Sequence, residues 1–164
     1  MKTSGLLLVL FALSAGRCPP GAYATRLAGD KKKEDAAAKV AAAKDLKLLQ
    51  GSWTMTGMEA NGKETPAAKL EGTILTIKDD IYTIEIKGKT VARCKLILDA
   101  KHDPKRLDMV FLDGARKDEV GKGIYRIDGA KLQIVRGLSP DQPRPDQFGT
   151  WPDTDVFMVT WTKR

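Results

Sequence analysis

The stretch 73–88 reads TILTIKDDIYTIEIKG, two short runs of aliphatic and β-branched residues hinged on Asp79-Asp80 and stopped at Gly88. In the second run Tyr82, Ile84 and Ile86 alternate with Thr83, Glu85 and Lys87. That period of two sends successive side chains to opposite faces of a sheet. Two such runs around a tight polar turn predict a β-hairpin with one buried and one wetted face.

The same pattern recurs on both sides of the hairpin. Further runs at Trp53–Ala60, Thr90–Leu98, Arg106–Leu112, Val120–Asp128, Ala130–Arg136 and Asp155–Lys163 bring the expected strands to eight. Leu107, Met109 and Phe111 share one face, as do Phe157, Val159 and Trp161. Asp113-Gly114 and Asp128-Gly129 stand at joints, where glycine supplies the positive φ of a tight hairpin. The expected fold is all-β: an eight-stranded antiparallel up-and-down barrel with a short N-terminal helix, since closure removes unpaired edges. A two-layer sandwich satisfies the same pattern. Two segments are too long for hairpins. In Asn61–Glu71 the run Pro66–Leu70 predicts a helical turn. Gly137–Thr154 holds four of the eight prolines, which predicts either a functional loop or an extended cover.

The N-terminus reads differently. Met1-Lys2 precedes an apolar run from Gly5 to Ala15, and Ala22-Tyr23-Ala24 supplies a small-x-small cleavage pattern. Residues 1–24 are therefore expected to be a signal peptide and the protein to be exported, periplasmic or secreted. Arg17 and Pro19-Pro20 cut the run short of a membrane helix, so no transmembrane segment is expected after cleavage. Cys18 follows Ala15-Gly16, but Arg17 occupies the position where lipidation needs a small residue. Residues 25–45 form a charged Ala/Lys-rich leader, partly helical, that runs into a helix docking through Leu46 and Leu49 before Gly51. The barrel domain is expected over residues 46–164.

With 42% hydrophobic and 30% charged residues in 164, the chain is composed like one folded domain. It carries a net charge of +7; loss of residues 1–24 leaves 26 basic against 21 acidic side chains. Basic residues are dispersed, Lys31-Lys32-Lys33 is answered by Glu34-Asp35, and no aromatic residues interleave with them. A nucleic-acid partner is therefore not expected. Cleavage also leaves Cys94 as the one cysteine. It alternates with Ala92, Leu96 and Leu98, as a thiol packed as a small hydrophobe would.

Leu49-Gln50-Gly51-Ser52-Trp53 resembles the Gly-x-Trp opening of lipocalin-like barrels. Together with 75–83 (LTIKDDIYT), 123–129 (GIYRIDG) and 143–148 (PRPDQF), it resembles a small lipocalin-like domain of unknown function multiplied in planctomycete bacteria. The similarity runs from about Leu46 to the C-terminus and implies an exported eight-stranded barrel without an assigned activity. It also implies that Trp53, after Gly51, closes one end of the barrel under a basic residue of the last strand, Lys163 or Arg164. The short strands and the missing lipocalin disulfide depart from the family and argue against a roomy cavity.

No catalytic residues, metal ligands or cofactors are expected. His102 is the one histidine, in the turn-like Lys101-His102-Asp103-Pro104. Asp79-Asp80 and the set Asp141, Asp146, Asp153 and Asp155 lack the ordered ligand alternation of a calcium loop and suit turns. Gly121 and Gly123 flank Lys122 beside a strand, which fits a bulge or a close corner better than a phosphate loop. The large residues expected to line the interior are Tyr82, Met109, Phe111, Tyr125, Phe157 and Trp161. A barrel of eight strands is either filled by its side chains or holds one small ligand, and short strands favour filling. Two roles follow. One is a module binding a small apolar ligand inside the barrel. The other is an envelope interaction domain meeting a protein partner through loop 137–154, with Arg144, Phe148 and Trp151 as anchors.

Overall fold

The computed structural model describes the backbone of residues 20–164 and the side chains of residues 33–164. The expected signal peptide lies outside the described residues as far as residue 19. In chain order the elements are α1 (Pro20–Leu49), β1 (Gly51–Ala60), β2 (Lys63–Glu64), α2 (Ala67–Leu70), β3 (Thr73–Lys78), β4 (Ile81–Ile86), β5 (Lys89–Asp99), β6 (Lys105–Phe111), β7 (Val120–Asp128), β8 (Lys131–Gly137) and β9 (Val156–Lys163). The chain divides between Glu34 and Asp35 into two units, the second holding all the strands. No helix among the described residues is long and apolar enough to cross a membrane.

The 73–88 hairpin forms in the register its alternation requires, with Lys78 opposite Ile81 and Thr73 opposite Ile86. Asp79 turns the corner at φ +55°, a left-handed conformation that aspartate tolerates. From β3 to β9 each strand pairs antiparallel with the next. β1 pairs with β3 through residues 51–54 and with β9 through Trp53–Ala60, which closes β1 and β3–β9 into an eight-stranded barrel. The sandwich alternative is thereby excluded. The two-residue β2, a spur on the end of β1, is too short to show an alternation in the sequence.

Two local expectations are corrected. Asp113-Gly114 does not make a tight hairpin. Gly114 at φ +74° instead begins a 3-10 turn over Gly114–Arg116, inside a longer connection closed by Asp118 N donating to Phe111 O. Gly121 and Gly123 mark no bulge, because β6 and β7 stay in unbroken register. Gly123 is required by crowding: a Cβ there would lie 2.7 Å from the Val135 carbonyl oxygen of β8. The bulges sit at Thr56 in β1 and Val91 in β5.

One end of the barrel interior is solid. Trp53, Leu75, Ile77, Leu107, Tyr125 and Leu132 pack there with almost no exposure. The last turn of α1 lies against this end, but through Leu49 and Asp45 rather than Leu46, which is half-buried. Asp45 is only 5% exposed. Its Oδ2 accepts hydrogen bonds from the Tyr125 hydroxyl at 2.8 Å and the Lys105 ammonium at 2.7 Å, which offsets the cost of burying a carboxylate.

The long loop between β8 and β9 covers the outer wall. Ile124 and Val135 face each other across β7 and β8 on the outward side, yet both are fully buried. Arg144 fixes the loop there: Nη1 donates to the carbonyls of Leu107 (2.7 Å) and Gly123 (2.6 Å), and Nη2 to Asp108 Oδ1 (2.6 Å).

Candidate functional site

At the end of the barrel away from α1, β1 leaves β3 after Thr54 and α2 crosses the space between them. The inward positions there do not meet in the middle. They surround an apolar cavity of about 330 Å³, so the expectation of a filled interior holds for one half of the barrel only. The short strands fill the half under α1, where Trp53 and Tyr125 reach the axis. The other half stays open although Tyr82, Phe111, Phe157 and Trp161 stand in its wall. Ile84 and Ile86 of β4, Ala92 and Cys94 of β5, Val159 of β9 and Leu70 of α2 supply its aliphatic wall. Ile86 (42% exposed) and Val91 (52% exposed) stand in water at the rim; the bulge at Val91 turns it toward the mouth instead of outward.

Of the six expected lining residues, Tyr82, Met109, Phe111, Phe157 and Trp161 line this cavity. Tyr125 does not. It pairs with Lys105 at the start of β6, whereas Phe111 ends that strand, so Tyr125 belongs to the closed end and its hydroxyl serves Asp45. The ring edges of Tyr82 and Trp161 meet in a T-shape, centroids 6.4 Å apart. Burial drives the Tyr82 hydroxyl far above its ordinary pKa, and burial pushes the Cys94 thiol up to about 11 although Arg136 pulls it down. Both are neutral at physiological pH, which leaves Cys94 a packing residue, as its alternation implies.

Sequence reasoning missed Arg136. It follows Leu132 and Ile134 on the inward parity of β8, and the signal was a charged residue at an apolar position. Its guanidinium stacks over Phe157 at 4.3 Å and near Phe111 at 5.6 Å, and Nη1 donates to Gly137 O at 3.1 Å. Gly121 borders this stack: a Cβ there would lie 3.6 Å from both Arg136 Nη1 and the Phe111 ring, an ordinary contact distance. Burial, and then the neighbouring Arg116, disfavour the charged form of Arg136.

The opposite end carries the closure. Trp53 is fully buried, its indole N–H donating to Leu49 O at 2.9 Å. Of the two basic candidates it is Lys163 that crosses it, with Nζ 5.1 Å from the ring centroid and bonded to Leu48 O. Arg164 contributes only a backbone N–H, to Ser52 O. Gly51, at φ +112°, lets β1 begin beneath the Lys163 stem.

The proposed loop anchors are mostly engaged within the domain. Arg144 is bonded as described, and Phe148 lies under Arg126 at 4.5 Å. Trp151 alone keeps substantial exposure, 46%. His102 is half-buried, its Nδ1 2.8 Å from Asp99 Oδ2 but poorly aligned for a hydrogen bond. No group of three metal-ligating side chains occurs among the described residues. Family models, curated proteins and solved structures yield no match to this chain.

Proposed function

We propose that the protein is an exported, lipocalin-like, non-enzymatic binding module that holds one small apolar or amphipathic molecule in the barrel cavity. The observation carrying this reading is the cavity itself, whose volume of about 330 Å³ lies at the small end of the roughly 300–1,000 Å³ typical of ligand pockets. Its wall is aliphatic and aromatic, and apolar residues are left in water at its mouth. Each square ångström of apolar surface that a ligand covers there contributes about 25 cal/mol. The buried, protonated Tyr82 and Cys94 suit a binding site better than a site of proton transfer. The interaction-domain alternative loses support from the internal bonds of Arg144 and Phe148.

N-Phenyl-1-naphthylamine, a neutral fluorescent probe, is expected to bind the full chain saturably at one site. Ala92→Phe, which puts a ring into the cavity, is expected to weaken it at least tenfold while leaving the unfolding midpoint in place. Absence of saturable binding, or a variant that binds as the parent does, refutes the reading. Export predicts a secreted product beginning at Thr25; an exported chain retaining Met1 argues against residues 1–24 as a cleaved leader.

A further inference from the structure

Apart from the hydroxyls of Thr65 and Thr73, the cavity's polar side chains are chiefly hydrogen-bond donors. Arg136 offers guanidinium N–H groups, Trp161 an indole N–H, Tyr82 a hydroxyl and Cys94 a thiol, and all four side chains line the same space. The Trp161 side chain is fully buried, and its Nε1–H has no aligned hydrogen-bond partner, although Tyr82 is close enough for each to feel the other. The charged residues in the lining are Lys69 and Arg136, both cations; among the described residues no carboxylate lines the cavity. Nor does any carboxylate lie within ion-pair distance of Arg136 among those residues, whose one hydrogen bond goes to Gly137 O.

A half-buried cation without a counter-ion carries a desolvation cost. Stacking on Phe111 and Phe157 offsets part of that cost, yet it leaves the in-plane N–H groups other than the one bonded to Gly137 O without a protein acceptor. A second guanidinium lies close by: Arg116 sits over the same Phe111 ring at 4.3 Å, its Nε paired with Glu119 Oε2 at 2.7 Å, which offsets its charge, while its buried Nη2 has no partner. An unoccupied site of this kind is completed by an acceptor that brings negative charge, and a planar carboxylate matches the guanidinium fork best.

We infer that the bound molecule is an amphipathic acid, its carboxylate seated on Arg136 beside Trp161 Nε1–H and its apolar chain running past Ile84 toward Ile86 and Val91 at the mouth. This rests on the binding-module reading and adds the ligand's chemical class. The size follows from the cavity. Its 330 Å³ is the room of about eleven waters at roughly 30 Å³ each, which suits an acid of about ten heavy atoms and excludes long-chain lipids. A bound carboxylate would also favour the protonated form of Arg136, against the burial and the Arg116 charge that disfavour it.

Octanoate and octan-1-ol share a chain and differ in the head. Competition against N-phenyl-1-naphthylamine on the full chain at pH 7 and low salt is expected to give octanoate an affinity at least tenfold above octanol. Arg136→Met keeps a stem over Phe157 and is expected to remove the preference by weakening octanoate alone; Arg136→Lys is expected to keep part of it. Equal binding of acid and alcohol, or a preference that survives in Arg136→Met, overturns the inference while leaving the cavity reading intact. Failure of the neutral probe to bind the parent overturns both. Should Arg136→Met not fold, Arg136→Lys decides: a retained part of the octanoate preference supports the charge, and equal binding of octanoate and octan-1-ol refutes it.

Discussion

Asp45→Ala tests whether α1 is held to the barrel by an ion rather than by leucines. The Tyr125 hydroxyl is buried beneath the helix and its one hydrogen bond goes to Asp45 Oδ2. Removing the acceptor orphans it at a cost of about 1–3 kcal/mol. Lys105 is 41% exposed and regains water, so its share stays below about 1 kcal/mol. Alanine returns a few tenths of a kcal/mol, roughly 0.5, as the better helix former. The balance is a loss of about 2 kcal/mol, or a urea midpoint lowered by about 1 M for a slope of about 2 kcal/mol/M. Asp45→Asn keeps an acceptor for Tyr125 and is expected to cost about half as much. The diagnostic variant is Tyr125→Phe placed on Asp45→Ala. With the hydroxyl already orphaned, its removal should add little cost or restore some stability. If Asp45→Ala leaves the midpoint unchanged, or if the two losses simply add, the buried bond does not hold the helix.

Four further outcomes follow from described contacts. In a Cys18→Ser chain, Cys94 with its pKa near 11 should resist a thiol reagent at pH 8 until denaturant is added, and rapid labelling of the native protein would contradict its burial. Cys94, Tyr82 and Tyr125 all titrate higher folded than unfolded. Their stabilising effect is complete below about pH 9 and is lost as pH rises through the folded values, so stability should fall above pH 9 by up to about 1.4 kcal/mol per pH unit per group; a flat profile between pH 9 and 11 counts against it. Gly123→Ala meets the Val135 carbonyl at 2.7 Å whereas Gly121→Ala meets nothing closer than 3.6 Å. The first should therefore cost about 1–3 kcal/mol and the second far less, as paired thermal melts would read. Arg144→Lys cannot reproduce three bonds to two carbonyls and Asp108. Limited proteolysis should nick the 138–155 loop faster than in the parent, and an unchanged rate would show that the guanidinium does not hold it.

The strands were legible because one face of each is buried: Tyr82, Ile84 and Ile86 announce both their strand and the cavity they line. Trp53 was legible from its position after Gly51, although the choice between Lys163 and Arg164 waited on the register with β9, since neighbouring residues face opposite sides. What escaped the sequence lies in interactions that carry no period. Asp45 looks like any helix-surface acid until Tyr125 and Lys105 come to it from strands far along the chain. Arg136 reads as the polar end of a run, since nothing local says that Phe111 and Phe157 from other strands will stack with it. The cavity is a matter of volume left over. Hydrophobic patterning counts which side chains point inward but does not say whether they meet.

The β1–β9 seam has a consequence for how the molecule is made. Every other barrel pair joins strands that are neighbours along the chain, β1 and β3 being parted only by β2 and α2. Local hairpins can zip one after another with little loop-closure entropy, and only Trp53 against Lys163 and the pairs behind it bring the two ends together. Until β9 is available, β1 and β8 each present a bare edge with hydrogen-bonding groups free to recruit a second chain. The ninth strand is thus both the last of the barrel strands to be synthesised and the one that ends the barrel's vulnerability to edge-to-edge association.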